Sequence, residues 1–265
     1  MSGSGVVPAC RTLDTISVFA GTVADADRAF RVMASFDPKD AYSRSLPVPL
    51  PPGALPPGLR VGVPDAGSRR FAGDLISEAA FDAALADLSS VTGSTKPTPV
   101  DMTALFDVAH LLYSGPWVAE RCHSVWDMIA AQPHALHPAT RKIIEAATAL
   151  SAVDAFAGMY RLAELPRAAD GIWSHVDVLV VPTYPRPREV GELAADPFGP
   201  NSELGTYTNF VNLLDLCALA IPSRFRSDGF PSGVTLIAPR GRDGLLAALG
   251  ERLHAASAKS IGATP

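Results

Sequence analysis

The chain is predicted to be an α/β protein, a layered mixed β-sheet flanked by helices. Three observations point there. Val176 to Pro182 is an apolar run of strand length, interrupted only by Asp177, as in a strand buried on both faces. Leu59 to Pro64, Leu75 to Val91 and Lys96 to Val100 read as strand, amphipathic helix and strand, a βαβ-type unit. Strand and helix signals go on alternating to the end of the chain, without a fixed-period repeat.

Val6 to Arg11 reads as a short strand or extended entry, and Thr15 to Phe19 is β-prone and ambiguous. Thr22-Val-Ala-Asp25 has the form of a capping box and opens a helix to about Ser35, with Val23, Ala26, Phe30 and Met33 on its apolar face. Pro47 to Pro57 is a proline-rich connection within one domain. The helix from Leu75 is expected to bury Ile76, Ala80, Ala83, Ala84 and Leu88. Two prolines make Lys96 to Val100 an edge strand. Leu105 to Leu112 and Trp117 to Gln132 read as helices. A long helical region starts near Pro138, points Ile143, Ala147, Leu150, Phe156 and Tyr160 at a core, and breaks at Pro166. Strands at Ile221 and at Val234 to Ala238, then a helix from Asp243 to Ala255, end the chain.

At 265 residues and 48% hydrophobic content, the chain can bury a sizeable core. Net charge is −5 with no basic run, which argues against a phosphate-facing nucleic-acid surface. No apolar stretch reaches membrane-spanning length. Met1 to Gly5 has neither the basic nor the apolar part of a secretion signal, so the expected location is the cytoplasm. Cys10, Cys122 and Cys217 are scattered and odd in number, unlike a disulfide framework or a zinc site. The histidines lack metal-ligand spacing; His134 and His137 read as helix caps. No cofactor is expected.

The chain is organised around Asn201 to Pro222, which begins polar and ends as an apolar run. It delivers hydrogen-bonding groups, Tyr207 and Asn209 among them, to the mouth of a buried sheet, where small-molecule sites form. Asn212 is read as orienting either substrate or a loop. In Tyr113-Ser-Gly-Pro-Trp-Val-Ala-Glu-Arg121, Pro116 suits the first turn of a helix. Two readings are open. Tyr113 and Arg121 converge on one cleft, a phenol beside a guanidinium fork that grips a carboxylate. Or Arg121 pairs with Glu120 or Asp127 on the surface, and Tyr113 is a core ring.

Tyr207-Thr-Asn-Phe-Val-Asn-Leu-Leu-Asp-Leu-Cys-Ala-Leu-Ala-Ile-Pro222, followed by Asp228-Gly-Phe-Pro-Ser-Gly-Val-Thr-Leu-Ile-Ala-Pro239, resembles the end of the amidase-signature domain of allophanate hydrolases. Gly5-Val-Val-Pro-Ala-Cys-Arg-Thr-Leu-Asp14 is similar to a stretch of the same family just after its catalytic region. The resemblance implies a partial amidase-signature domain over residues 5–257, with a flexible start at 1–4 and a tail at 258–265. It implies descent from an enzyme that hydrolyses allophanate to ammonia and carbon dioxide in urea degradation. It further implies that Tyr113 and Arg121 hold the substrate's carboxylate, and that Asp14 is a hydrogen-bonded anchor. The family's serine nucleophile, bridging serine and lysine base belong before Gly5. No residue of this sequence matches them, so no catalytic residue is assigned and the chain alone is expected to be inactive. Substrate-facing residues are Tyr113, Arg121, Tyr207 and Asn209, and the expected ligand is a small carboxylate or amide. The other expected partners are a second copy or a chain carrying the missing half. The competing reading is a non-catalytic binding or assembly module. Arg224 stands where the family tends to have something smaller, which leaves the substrate open.

Overall fold

The computed structural model describes residues 1–46, 53–93 and 96–257. Its strands are β1 (Val61–Pro64), β2 (Thr98–Val100), β3 (Val178–Pro182), β4 (Leu216–Pro222) and β5 (Gly233–Pro239). They form a five-stranded sheet in the order β2-β1-β3-β5-β4. β2 and β3 run parallel to β1; β5 is antiparallel to β3, and β4 to β5. The sheet is therefore mixed, as expected, and β3 lies at its centre.

Every residue of β3 is buried, because both faces are covered. Side chains alternate across a strand. Val178 and Val180 point to one layer, where they meet Phe81 and Leu88 of α2 (Leu75–Thr92) and Leu246, Leu249 and Leu253 of α11 (Asp243–Ser257). Leu179 and Val181 point to the other, among Leu105 and Val108 of α3 (Thr103–Ser114), Tyr207, and Phe210 of α10 (Asn209–Leu213). A smaller cluster of Val118, Cys122, Ile144 and Ala147 joins α4 (Trp117–Ser124) to α6 (Pro138–Glu145). Gly62 is required where β1 passes its neighbours, since a Cβ there would lie 2.9 Å from side-chain atoms of Val100 and Val176.

Helix α1 (Val23–Met33) starts at the predicted cap, with the Asp25 N–H donating to Thr22 Oγ1 at 3.1 Å. Val23 is buried against α11, but Met33 is exposed. Residues 6–11 and 15–19 form turns and irregular backbone, not strands. The α2 face is rotated from the expected one: Ser77, Phe81, Ala84, Asp87 and Leu88 are buried, and Ile76 is exposed. Its two polar members are tolerated because Arg226 donates to Ser77 Oγ and Arg224 donates to both Asp87 oxygens.

The predicted helix from Trp117 to Gln132 divides at Val125 into α4 and α5 (Trp126–Ala131). Ser124, the last residue of α4, turns its hydroxyl to the carbonyls of Arg121 and Pro8, a local competition with regular helix bonding. The region from Pro138 also divides. A 3₁₀ turn, Ala146–Ala149, leads to extended backbone at Leu150, and a capping box at Ser151 opens α7 (Ala152–Trp173). This helix continues through position 166, contrary to expectation. An internal proline costs about 3 kcal/mol. Buried Leu165 and Ala169 dock that part of the helix on the core and offset the cost. Phe156 and Tyr160, expected inside, lie on the first half of α7 and are exposed with Val153 and Met159.

Ser2 Oγ donates to Asp37 at 2.7 Å, and the Gly3 N–H donates to Asp40 at 2.7 Å. The tail assigned to 258–265 and part of the proline-rich connection, residues 47–52, lie outside the described residues. Among the described residues no single helix is long and apolar enough to cross a membrane.

Candidate functional site

Tyr113 stands at the end of α3 and Arg121 in the second half of α4. A short corner brings them together. The Gly115 N–H closes α3 by donating to the Leu111 carbonyl at 2.8 Å, and Pro116 precedes the first turn of α4. Buried Trp117 pins that turn to the core. α7 crosses the corner at Gly158, where any Cβ would collide with the Pro116 ring.

The Arg121 guanidinium carbon lies 5.6 Å from the centre of the Tyr113 ring, a cation–π placement. Its Nη2 is 3.8 Å from Cys10 Sγ. Its Nε is buried with no hydrogen-bond partner. Among the described residues no carboxylate lies within ion-pair distance of Arg121, so the pairing with Glu120 or Asp127 that the sequence allowed is not formed. A half-buried guanidinium without a counter-ion, beside a half-exposed phenol, is a place for an incoming anion.

Residues 8–14 form the wall behind Arg121. Asp14 accepts from the N–H groups of Ala9 and Cys10, at 2.8 and 3.0 Å, and so closes a turn; it is the anchor expected of it. Ser124 Oγ donates to the Pro8 carbonyl at 2.8 Å, and Asn212 Nδ2 donates to the Leu13 carbonyl at 2.8 Å. Of the two roles open to Asn212, the structure gives it the loop. Burial pushes the Cys10 thiol up, against the pull of Arg121, so at neutral pH it is a neutral thiol and a poor nucleophile.

Tyr207 is fully buried. Its hydroxyl donates to the Ser68 carbonyl at 3.0 Å and accepts from the Arg70 N–H at 2.7 Å, which ties residues 68–70 to the start of α10. Burial raises its pKa, so it stays a protonated donor. Asn209 is half-buried and packs its carboxamide against Gly205, where a Cβ would meet it at 2.4 Å or more. Tyr113 and Arg121 are thus brought together. Among the described residues no hydrogen bond or ring contact joins that pair to Tyr207 or Asn209. Sequence reasoning did not find Cys10 and the turn behind it as neighbours of Arg121; the only local signal was the Asp14 anchor.

Among the described residues, cavities also lie elsewhere, and two stand out. One, with room for about 20 Å³ of water, sits at the ends of β3 and β5 and is lined by Phe71, Phe81, Tyr184, Ser223 and Arg226. Arg226 is already saturated there by Asp74, Ser77 and Asp228. The other, an open depression of about 370 Å³, is lined by Trp173, Asp170, Asp215 and Arg240. His137 Nδ1 accepts from the Ala139 N–H at 3.3 Å and caps α6, as expected.

Residues 1–247 match the family described as Amidase. The chain is 40% identical over 254 residues to a urea amidolyase of Lachancea kluyveri, covering 95% of this chain and 14% of that protein. It superposes on the allophanate hydrolase of Kluyveromyces lactis with a TM-score of 0.90 at 39% identity, over 97% of this chain and 41% of the other. The K. lactis urea amidolyase structure gives a TM-score of 0.90 at 39% identity, over 96% and 15% of the two chains. The chain therefore spans less than half the length of each of these relatives.

Proposed function

We propose that this chain, which belongs to the amidase family, supplies the substrate-gripping part of an allophanate hydrolase-like amidase. Tyr113 and Arg121 hold the carboxylate of a small amide-bearing acid, of which allophanate is the type. The observation that carries this is the half-buried Arg121 guanidinium with no carboxylate partner, laid over the Tyr113 ring. Two parallel N–H bonds from such a fork fix both the charge and the plane of a carboxylate. Tyr207 and Asn209 take part by holding the neighbouring loops in place.

Amide hydrolysis by this family proceeds through an acyl-enzyme on an activated serine. We assign no residue of 1–265 to that serine, its bridging partner or the lysine. The reading is therefore that these residues bind substrate and do not turn it over by themselves, as one half of a split or longer amidase would. The test is a calorimetric titration of malonate, a stable carboxylate mimic, against wild type and Arg121→Ala, with an allophanate turnover assay alongside. Saturable binding that vanishes in Arg121→Ala, without turnover, is expected. No binding by wild type, or inhibitor-sensitive turnover by the pure chain, overturns the reading.

A second reading, a non-catalytic assembly module, is favoured by one observation: Val153, Phe156, Met159 and Tyr160 form an exposed apolar stripe on α7.

A further inference from the structure

Glu120 is the carboxylate next to Arg121 in sequence, yet it is committed elsewhere. Its Oε1 accepts from the Thr12 N–H at 2.7 Å, and its Oε2 accepts from Thr12 Oγ1 at 2.7 Å. Both oxygens are thus spent on one residue of the 8–14 turn. That turn is rigid on its own account, closed by Asp14 and tied down by Ser124 and Asn212. Cys10, two residues before Thr12, touches the Arg121 guanidinium. Arg121 and Glu120 thus meet the same short turn two residues apart, the one at Cys10 and the other at Thr12.

We propose that Thr12 is a positioning residue for the carboxylate grip: by clasping Glu120 through its N–H and hydroxyl, it keeps that carboxylate off Arg121 and leaves the guanidinium open to a ligand. The inference rests on the reading of Arg121 as a carboxylate grip, and it assigns that site's affinity to a residue that does not touch the ligand. The physical argument is one of competition. A guanidinium has a limited number of N–H donors facing one direction, and an internal carboxylate within reach occupies them at no translational cost, whereas a ligand loses its freedom on binding. Adjacent helix positions point apart. The clasp holds Glu120 in that outward direction, and only a flexible, unclasped Glu120 swings toward Arg121.

The experiment measures malonate affinity by calorimetry in four forms of the full 265-residue chain: wild type, Thr12→Val, Glu120→Gln and the double variant. Thr12 is exposed, so valine fits without repacking. Thr12→Val removes the hydroxyl bond, loosens Glu120, and is expected to weaken malonate about fivefold, the scale of a partly exposed ion pair. Thr12→Ser, which restores the hydroxyl, is expected to return wild-type affinity. Glu120→Gln removes the competing charge, and it is expected to bind at least as tightly as wild type. The double variant is expected to recover to within about twofold of wild type, a rescue that a purely structural role for the clasp does not produce. The inference is overturned if Thr12→Val binds like wild type, or if the double variant stays as weak as Thr12→Val. Should Thr12→Val fail to fold, Glu120→Gln decides: a loss of affinity there makes Glu120 part of the grip and overturns the inference. Absence of binding by wild type is a separate outcome, which removes the carboxylate grip itself and this inference with it.

Discussion

Tyr207→Phe separates a structural tyrosine from a substrate-facing one. The substitution keeps the ring, its burial and its edge contact with Phe106, whose centre lies 5.9 Å away. It deletes one oxygen. That oxygen satisfies the Ser68 carbonyl and the Arg70 N–H, at 3.0 and 2.7 Å, and both lose their partner on the phenylalanine variant. Leaving buried backbone groups unpaired costs about 1–3 kcal/mol. The Ser68 contact is buried and the Arg70 contact partly so, which places the expected loss near the middle, about 2 kcal/mol. For a chain of this size that is a Tm drop of about 4–8 °C. Differential scanning calorimetry measures it, and malonate titration of the same variant measures the site. The expected result is a clear loss of Tm with malonate affinity within about twofold of wild type. An unchanged Tm together with a tenfold loss of affinity would refute the anchor reasoning and make Tyr207 a ligand of the substrate.

Arg121→Lys is expected to weaken malonate about tenfold despite the retained charge, because lysine lacks the planar fork, and Tyr113→Phe is expected to weaken it less; calorimetry ranks them. Arg226→Met strands Asp74 and Ser77 at a nearly buried guanidinium position and is expected to cost about 3 kcal/mol in urea unfolding; a loss under 1 kcal/mol contradicts that. Hydrogen bonds from Arg186 hold Glu192 well below the ordinary carboxylate range, at about 2. A depressed folded-state pKa stabilises above the unfolded value, so this contribution is present above about pH 4.5 and fades as pH falls toward about 2. Carboxyl NMR titration of Glu192 checks it, and an ordinary midpoint would count against the Arg186–Glu192–Arg188 network. The exposed α7 stripe is expected to drive self-association at micromolar concentration, relieved by Phe156→Ser with Tyr160→Ser; light scattering that finds wild type monomeric rejects this.

Much of the fold was legible because it is local or fully buried. Val176 to Pro182 read as a central strand and Val178–Pro182 forms it, and the Thr22 cap and the Asp14 anchor depend on residues within a few positions. What was not legible depends on distant partners. Ser77 and Asp87 belong on the buried face of α2 only because arginines 149 and 137 residues away meet them. Helix propensity breaks α7 at Pro166, and tertiary packing overrides it. In the site, the spacing of Tyr113 and Arg121 around Pro116 was readable. The fate of Glu120 was not, since its partner Thr12 lies 108 residues away.

The most direct test of the carboxylate grip is the Arg121 Nε–H resonance. This group is buried and unpartnered in the structure, so its environment reports any anion that reaches the fork. In a ¹⁵N-correlated spectrum of the full chain, malonate is expected to shift that resonance saturably, with the same affinity that calorimetry reads. An Arg121 signal that stays put while malonate binds, or while other arginine signals move instead, would contradict the account.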